Sequence, residues 1–165
     1  MNKLSYYLDI THISISNYIS HTLIKLSIPF VQIELNMTDP NLFKPVDKVG
    51  KNIFIYNGFN KGNSHIYGEK IYIQVVNILK EKGFKFIYSN ELNKPYEQMS
   101  LIYSKCFIGL RLTEYDGNAN TVQEFNCMGI PIIFNGTGGI KWAGCDDIVK
   151  TIKKIYNKTF KLIDY

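Results

Sequence analysis

Short apolar runs alternate along the chain with longer stretches in which apolar residues recur every three or four positions. The runs read as buried strands and the longer stretches as amphipathic helices. Residues 14–26 carry Ile15, Tyr18, Ile19, Leu23 and Leu26 near helical spacing, with Ser14 or Ser16 available to cap the start. Residues 29–33 read as a strand. Residues 36–48 contain Asp39-Pro40 and Pro45 without periodicity and read as a linker or a long surface connection. The alternation is cleaner beyond residue 51. It predicts a strand over 52–56, a Gly- and Asn-rich loop over 57–68, and a helix over 69–82 with Ile71, Val75, Ile78 and Leu79 on one face. Gly83 suits a left-handed helix end. A strand over 85–88, a helix over 95–104 with Asn93 as a candidate cap, and a strand over 106–112 follow. A loop over 113–120, a short helix over 121–128 ending at Gly129, a strand over 131–134 and a helix over 146–156 complete the series.

Four strands with intervening helices predict an α/β domain, a doubly wound parallel sheet of Rossmann-like type, preceded by a helix–strand remnant. Ligands in such sheets bind at the carboxyl ends of the strands, near the point where strand order reverses. Those ends are residues 57–62, 89–91, 111–120 and 135–139, the segments richest in Gly, Asn and charge. A nicotinamide-binding turn would need G-x-G-x-x-G after the first strand, and residues 57–62 have glycine only at Gly58 and Gly62.

Composition narrows the function classes. The 45% hydrophobic and 20% charged content is that of a globular chain, and no apolar run approaches the ~20 residues of a membrane span. The first thirty residues lack the features of a leader peptide, so a cytoplasmic location is expected. Net charge is +5, but 18 of the 19 basic residues are lysines, spread without blocks, in a chain with 24 Ile, 16 Asn and two Ala. AT-rich coding accounts for much of that excess, so nucleic acid is not the expected partner. Cys106, Cys127 and Cys145 show no paired spacing and the histidines are scattered, so neither a disulfide framework nor a metal site is expected. Cys106 and Cys127 read as buried structural thiols. His65 and Tyr67, in the first loop, are candidates to line a site, although a loop histidine is more often simply solvated.

Residues 111–124 carry the most chemistry. Gly117, Asn118 and Asn120 precede a helix whose first amides, at Asn120 and Thr121, have no intrahelical partner and suit a phosphate. Arg111, the sole arginine, ends the preceding strand and is placed to neutralise a diphosphate. Glu124, one turn into the helix, suits a ribose diol, and Asp116 a sugar hydroxyl. The alternative is that Asp116 and Asn120 merely cap the helix while Glu124 is solvated. Asp146 and Asp147 read as caps of the last helix rather than metal ligands.

The run Asp116-Gly117-Asn118-Ala119-Asn120-Thr121-Val122-Gln123-Glu124, continued by Phe125-Asn126-Cys127-Met128-Gly129-Ile130-Pro131-Ile132-Ile133, resembles the acidic-x7-Glu motif of retaining GT-B glycosyltransferases. It is most similar to the family 4-like group, glycosyl transferases group 1. Two further stretches resemble that family. Residues 31–45 are similar to its interdomain connection, through Asn36-x-x-Asp39 and Phe43-x-Pro45, and residues 52–62, ending Asn60-Lys61-Gly62, to its first donor-domain strand and loop.

The resemblance covers residues 12–155 and implies a single GT-B half. Residues 1–48 would be the remnant of an acceptor domain and the interdomain linker, and residues 49–165 the donor domain that binds a nucleotide-diphosphate sugar. In its terms Glu124 binds the ribose, Asp116 replaces a glutamate that contacts the sugar, and Arg111 and Lys61 stabilise the departing diphosphate. Gly58, Gly117, Asn118, Asn120 and Thr121 would line the donor site. No metal or cofactor is implied beyond the donor substrate. The acceptor domain is missing, which implies either activity with a separate acceptor-domain polypeptide or a homo-oligomer, or a truncated product. A non-catalytic nucleotide-sugar-binding or interaction module is the alternative.

Overall fold

A computed structural model describes residues 10–33, 37–47, 49–58, 61–113, 116 and 118–160, without the side chains of Lys61 and Asn63. The chain is an α/β protein with two parallel sheets. Strands β1 (His12–Ser14) and β2 (Phe30–Gln32) form the smaller, joined by helix α1 (Asn17–Lys25). The larger contains β3 (Asn52–Ile55), β4 (Lys85–Tyr88), β5 (Cys106–Leu110) and β6 (Ile132–Ile133) in the order β4-β3-β5-β6. Helices α2 (Glu69–Lys80), α3 (Met99–Tyr103) and α4 (Asn120–Cys127) lie between successive strands, and α5 (Cys145–Phe160) follows β6.

Period-two alternation sends β3 side chains into two cores on opposite faces of the sheet. Phe54 packs with Tyr103 of α3 and Phe125 of α4, while Ile53 and Ile55 pack with Val75 and Leu79 of α2 and Ile148 and Ile152 of α5. Helices therefore cover both faces, as continuous apolar strands require. The β3–β5 register slips between Asn52 and Ile53, paired with Cys106 and Ile108. This bulge places Phe107 in the same core as Ile108. At Gly109 a Cβ atom would stand 2.9 Å from the Phe125 ring, so only glycine lets α4 pack this closely on β5.

Several expected boundaries move. Residues 61–67, expected as loop, form a 3-10 helix (Lys61–Tyr67) that delivers the chain to α2 through Gly68. Gly68 has φ 72°, and a Cβ there would lie 2.5 Å from the Leu112 carbonyl oxygen. The helix expected over 95–104 splits into a 3-10 turn (Tyr96–Gln98) and α3, with Pro95 rather than Asn93 at the cap position and no side-chain capping bond. The last helix extends to Phe160, where Phe160 and Tyr156 close over Phe107. Asp147 accepts a hydrogen bond from the Ala143 amide at 3.1 Å, stabilising that helix start. Cys106 is buried, whereas Cys127, expected to be buried, is only half-buried, packed at the margin of the core.

The β1–α1–β2 unit departs furthest from expectation. Strand β1 lies where a helix start was expected, and Ser16 alone caps α1. Its interior is polar: the hydroxyls of Ser14 and Ser20 share a hydrogen bond at 2.8 Å, and Ser20 donates to Gln32 Oε1 at 3.0 Å. Ile13, Tyr18, Ile24, Val31 and Ile33 are instead exposed, Ile24 to 62%. No helix among the described residues is long and apolar enough to cross a membrane.

Candidate functional site

The strand order reverses at β3, with β4 on one side and β5 on the other. The two residues that follow these central strands, Tyr56 and Arg111, meet across the resulting crevice. The Arg111 guanidinium lies 4.0 Å from the Tyr56 ring centroid and 5.6 Å from that of Tyr67, and the two rings pack edge to face at 4.9 Å. Its edge is held as firmly. Arg111 Nε donates to Asp116 Oδ2 at 2.6 Å, Nη2 pairs with the same oxygen, and Nη1 donates to Thr121 Oγ1 at 3.4 Å. A buried guanidinium needs such partners, and stacking on a desolvated aromatic face adds about 2 kcal/mol.

Tyr56, Tyr96, Tyr103, Arg111, Asp116, Asn118, Asn120, Thr121 and Glu124 line one cavity of about 350 Å³. Helix α4 opens at Ala119 with no side chain capping it, so the amides of Asn120 and Thr121 start the helix without a capping partner. Glu124, one turn on, is 4% exposed. Tyr103 donates to its Oε2 at 2.8 Å and Tyr96 hydrogen-bonds the same carboxylate. Burial raises the Glu124 pKa; the bonds from Tyr103 and Tyr96 and the charge of Arg111 oppose that rise. The Tyr103 phenol is pushed up, first by burial and then by the carboxylate beside it. Capping by Asp116 or Asn120 and a solvated Glu124 are thus both excluded: Ala119 holds the cap position, Asp116 is engaged by Arg111, and Glu124 is buried.

A polar latch fixes the first loop at the edge of this crevice. The Ser89 hydroxyl, at the end of β4, accepts from the Asn57 amide at 3.0 Å and donates to the Gly58 carbonyl at 2.8 Å. Asn57 Oδ1 in turn accepts from the Asn90 amide at 3.0 Å. Gly58 is therefore pinned beside the cavity without lining it. Lys61 opens the 3-10 helix, and its side chain and Gly117 lie outside the described residues. His65 is exposed on that helix, while Tyr67 reaches Arg111.

Two groups of residues escaped sequence reasoning. Tyr56, Tyr96 and Tyr103 form the aromatic wall, although the first fell within an expected buried strand and the other two within an expected helix. The sequence placed Tyr56 inside the strand over 52–56; the structure ends that strand at Ile55 and brings the phenol out into the cavity. Gln123 ties the site to the linker: it donates to Asn118 Oδ1 and accepts from the Met37 amide at 3.2 Å and the Thr38 hydroxyl at 3.4 Å. Among the described residues no three His, Cys, Asp or Glu side chains are grouped to hold a metal.

The arrangement offers a clamped planar cation, an uncapped helix start and a buried carboxylate ringed by phenols. Together these suit a ligand with an anionic part and a vicinal diol. No protein-family model matches the chain, and no curated protein matches its sequence.

Proposed function

We propose that this chain is the donor-binding half of a retaining GT-B-type glycosyltransferase, acting on a nucleotide-diphosphate sugar and a hydroxyl acceptor. One observation carries the reading: Glu124 is buried beside an uncapped helix start that faces Arg111, at the reversal point of a parallel sheet. The ribose diol would replace the Tyr96 bond to Glu124, with its base against the tyrosine wall. The diphosphate would meet Arg111 and the amides of Asn120 and Thr121. As the bond between the sugar carbon and the diphosphate breaks, negative charge grows on the leaving oxygens, and this is where fixed donors lower the barrier. Asp116 engages Arg111 through Oδ2, which leaves Oδ1 for a sugar hydroxyl.

The exposed apolar side chains of the β1–α1–β2 unit support packing of this unit against an acceptor domain. A two-stranded sheet is marginal by itself, and a parallel one is ordinarily covered on both faces. The test is calorimetric titration with UDP, GDP, ADP and their sugars, with Glu124→Ala alongside. Saturable binding of one nucleotide, lost in the variant, is expected. Absence of binding by the folded chain would sink the reading in favour of an interaction-only domain.

A further inference from the structure

The opposite end of the sheet holds a second cavity, of about 630 Å³, unrelated to the site at the strand carboxyl ends. It opens where β3 and β4 begin, between the turn that ends α2 and the middle of α5. Lys51, Lys82, Lys85 and Lys153 line it, and no carboxylate does. Among the described residues the one ion pair is Arg111–Asp116, so none of these four ammonium groups pairs with a described carboxylate. The cavity's apolar side is formed by Phe84 and Tyr156, packed edge to face at 5.0 Å, and Lys51 lies 5.4 Å over the neighbouring Phe160 ring.

Four like charges around one concavity repel one another, and their attractions to a counter-ion add. Low-dielectric aromatic walls focus that field. The volume is that of a small-ligand pocket, whereas single strands of nucleic acid need an extended basic track with successive stacking platforms. We infer that this cavity binds a compact polyanion carrying two or more phosphate groups. The source is either a free polyphosphate or a phosphorylated lipid headgroup, since both present the same charge in the same space.

The test titrates the full chain with tripolyphosphate by calorimetry, using Lys82→Glu/Lys153→Glu, a control pair Lys70→Glu/Lys94→Glu, and Arg111→Ala, which removes the diphosphate contact of the other cavity. Both control lysines are exposed and lie outside the cavity. We expect a saturable site that is weakened about thirtyfold or more by the first pair and unchanged by the control pair and by Arg111→Ala. Co-sedimentation with phosphatidylcholine vesicles, with and without phosphatidylinositol bisphosphate, separates the sources. Vesicle capture competed by tripolyphosphate assigns a lipid headgroup, and no capture with tripolyphosphate binding intact assigns a free ligand. Absence of saturable binding, equal weakening by the control pair, or tighter binding of a single-stranded oligonucleotide overturns the inference. Because the Lys82/Lys153 pair reports on this cavity and Arg111→Ala on the other, either proposal can fail while the other stands.

Discussion

Tyr103→Phe removes the hydroxyl that donates to Glu124 in the candidate site. Tyr103 is 2% exposed and its ring packs against Phe54 at 5.0 Å and Phe125 at 4.4 Å. Phenylalanine keeps those contacts and leaves no cavity, so the loss is confined to the hydroxyl's bonds to Glu124 and Thr121, of which only the first depends on a carboxylate. A hydrogen bond to a charged group is worth about 1.5–3 kcal/mol and a neutral one about 0.5–1.5. The charged value applies where Glu124 is ionised. Burial has already raised its folded pKa above the ordinary glutamate value, and losing this donor raises it further. The sign follows from linkage. A carboxyl with a raised folded pKa holds its proton longer in the folded state, so its contribution to stability falls as pH rises from the unfolded pKa through the folded one. The variant extends that fall to higher pH. Its deficit is therefore full above its own folded pKa and shrinks to the neutral value as pH drops below the ordinary glutamate range. Urea denaturation, followed through the single tryptophan Trp142, should show a loss of about 2 kcal/mol at pH 8 and about 1 kcal/mol or less near pH 4. An equal loss at both pH values would refute the assignment of Tyr103 as a donor to a buried carboxylate.

Three more outcomes follow from the geometry. Arg111→Lys keeps the charge but loses the fork to Asp116 and the stacking on Tyr56, and should weaken nucleoside diphosphate binding by about 10- to 100-fold in calorimetry. Gly68→Ala forces a left-handed backbone and a clash with the Leu112 carbonyl, and should cost at least about 1–2 kcal/mol by denaturant titration. Gly62→Ala, with open space around its position, is the control and should stay within about 0.5 kcal/mol. The Cys106 thiol, pushed up to about 12 chiefly by burial, should resist alkylation at pH 8 in the native protein while Cys127 reacts, as read by mass spectrometry.

Much of the larger sheet and its helices was legible in the chain, because periods of two and of three to four are local properties of a dozen residues. The apolar stripe of α2, the strands β3 to β6 and their order along the chain came from that pattern, as did the location of the candidate site at the ends of the strands. Pairing partners did not. Strand β1 has three residues and pairs with β2 across α1, so nothing within β1 announces it. The bulge at Phe107 likewise exists only against β3.

The same division runs through the candidate site. Spacing alone put Asp116 and Glu124 on either side of a helix start, and the lone arginine marked the preceding strand. Whether those groups were solvated or buried depended on residues far along the chain. Tyr103 meets Glu124 across 21 positions, and Tyr56 reaches Arg111 only because the sheet lays β3 beside β5. Local sequence determines what each segment prefers to be. Desolvation, which turned a surface glutamate into a clamped carboxylate, is a property of what surrounds a residue, and only the packed tertiary structure supplies it.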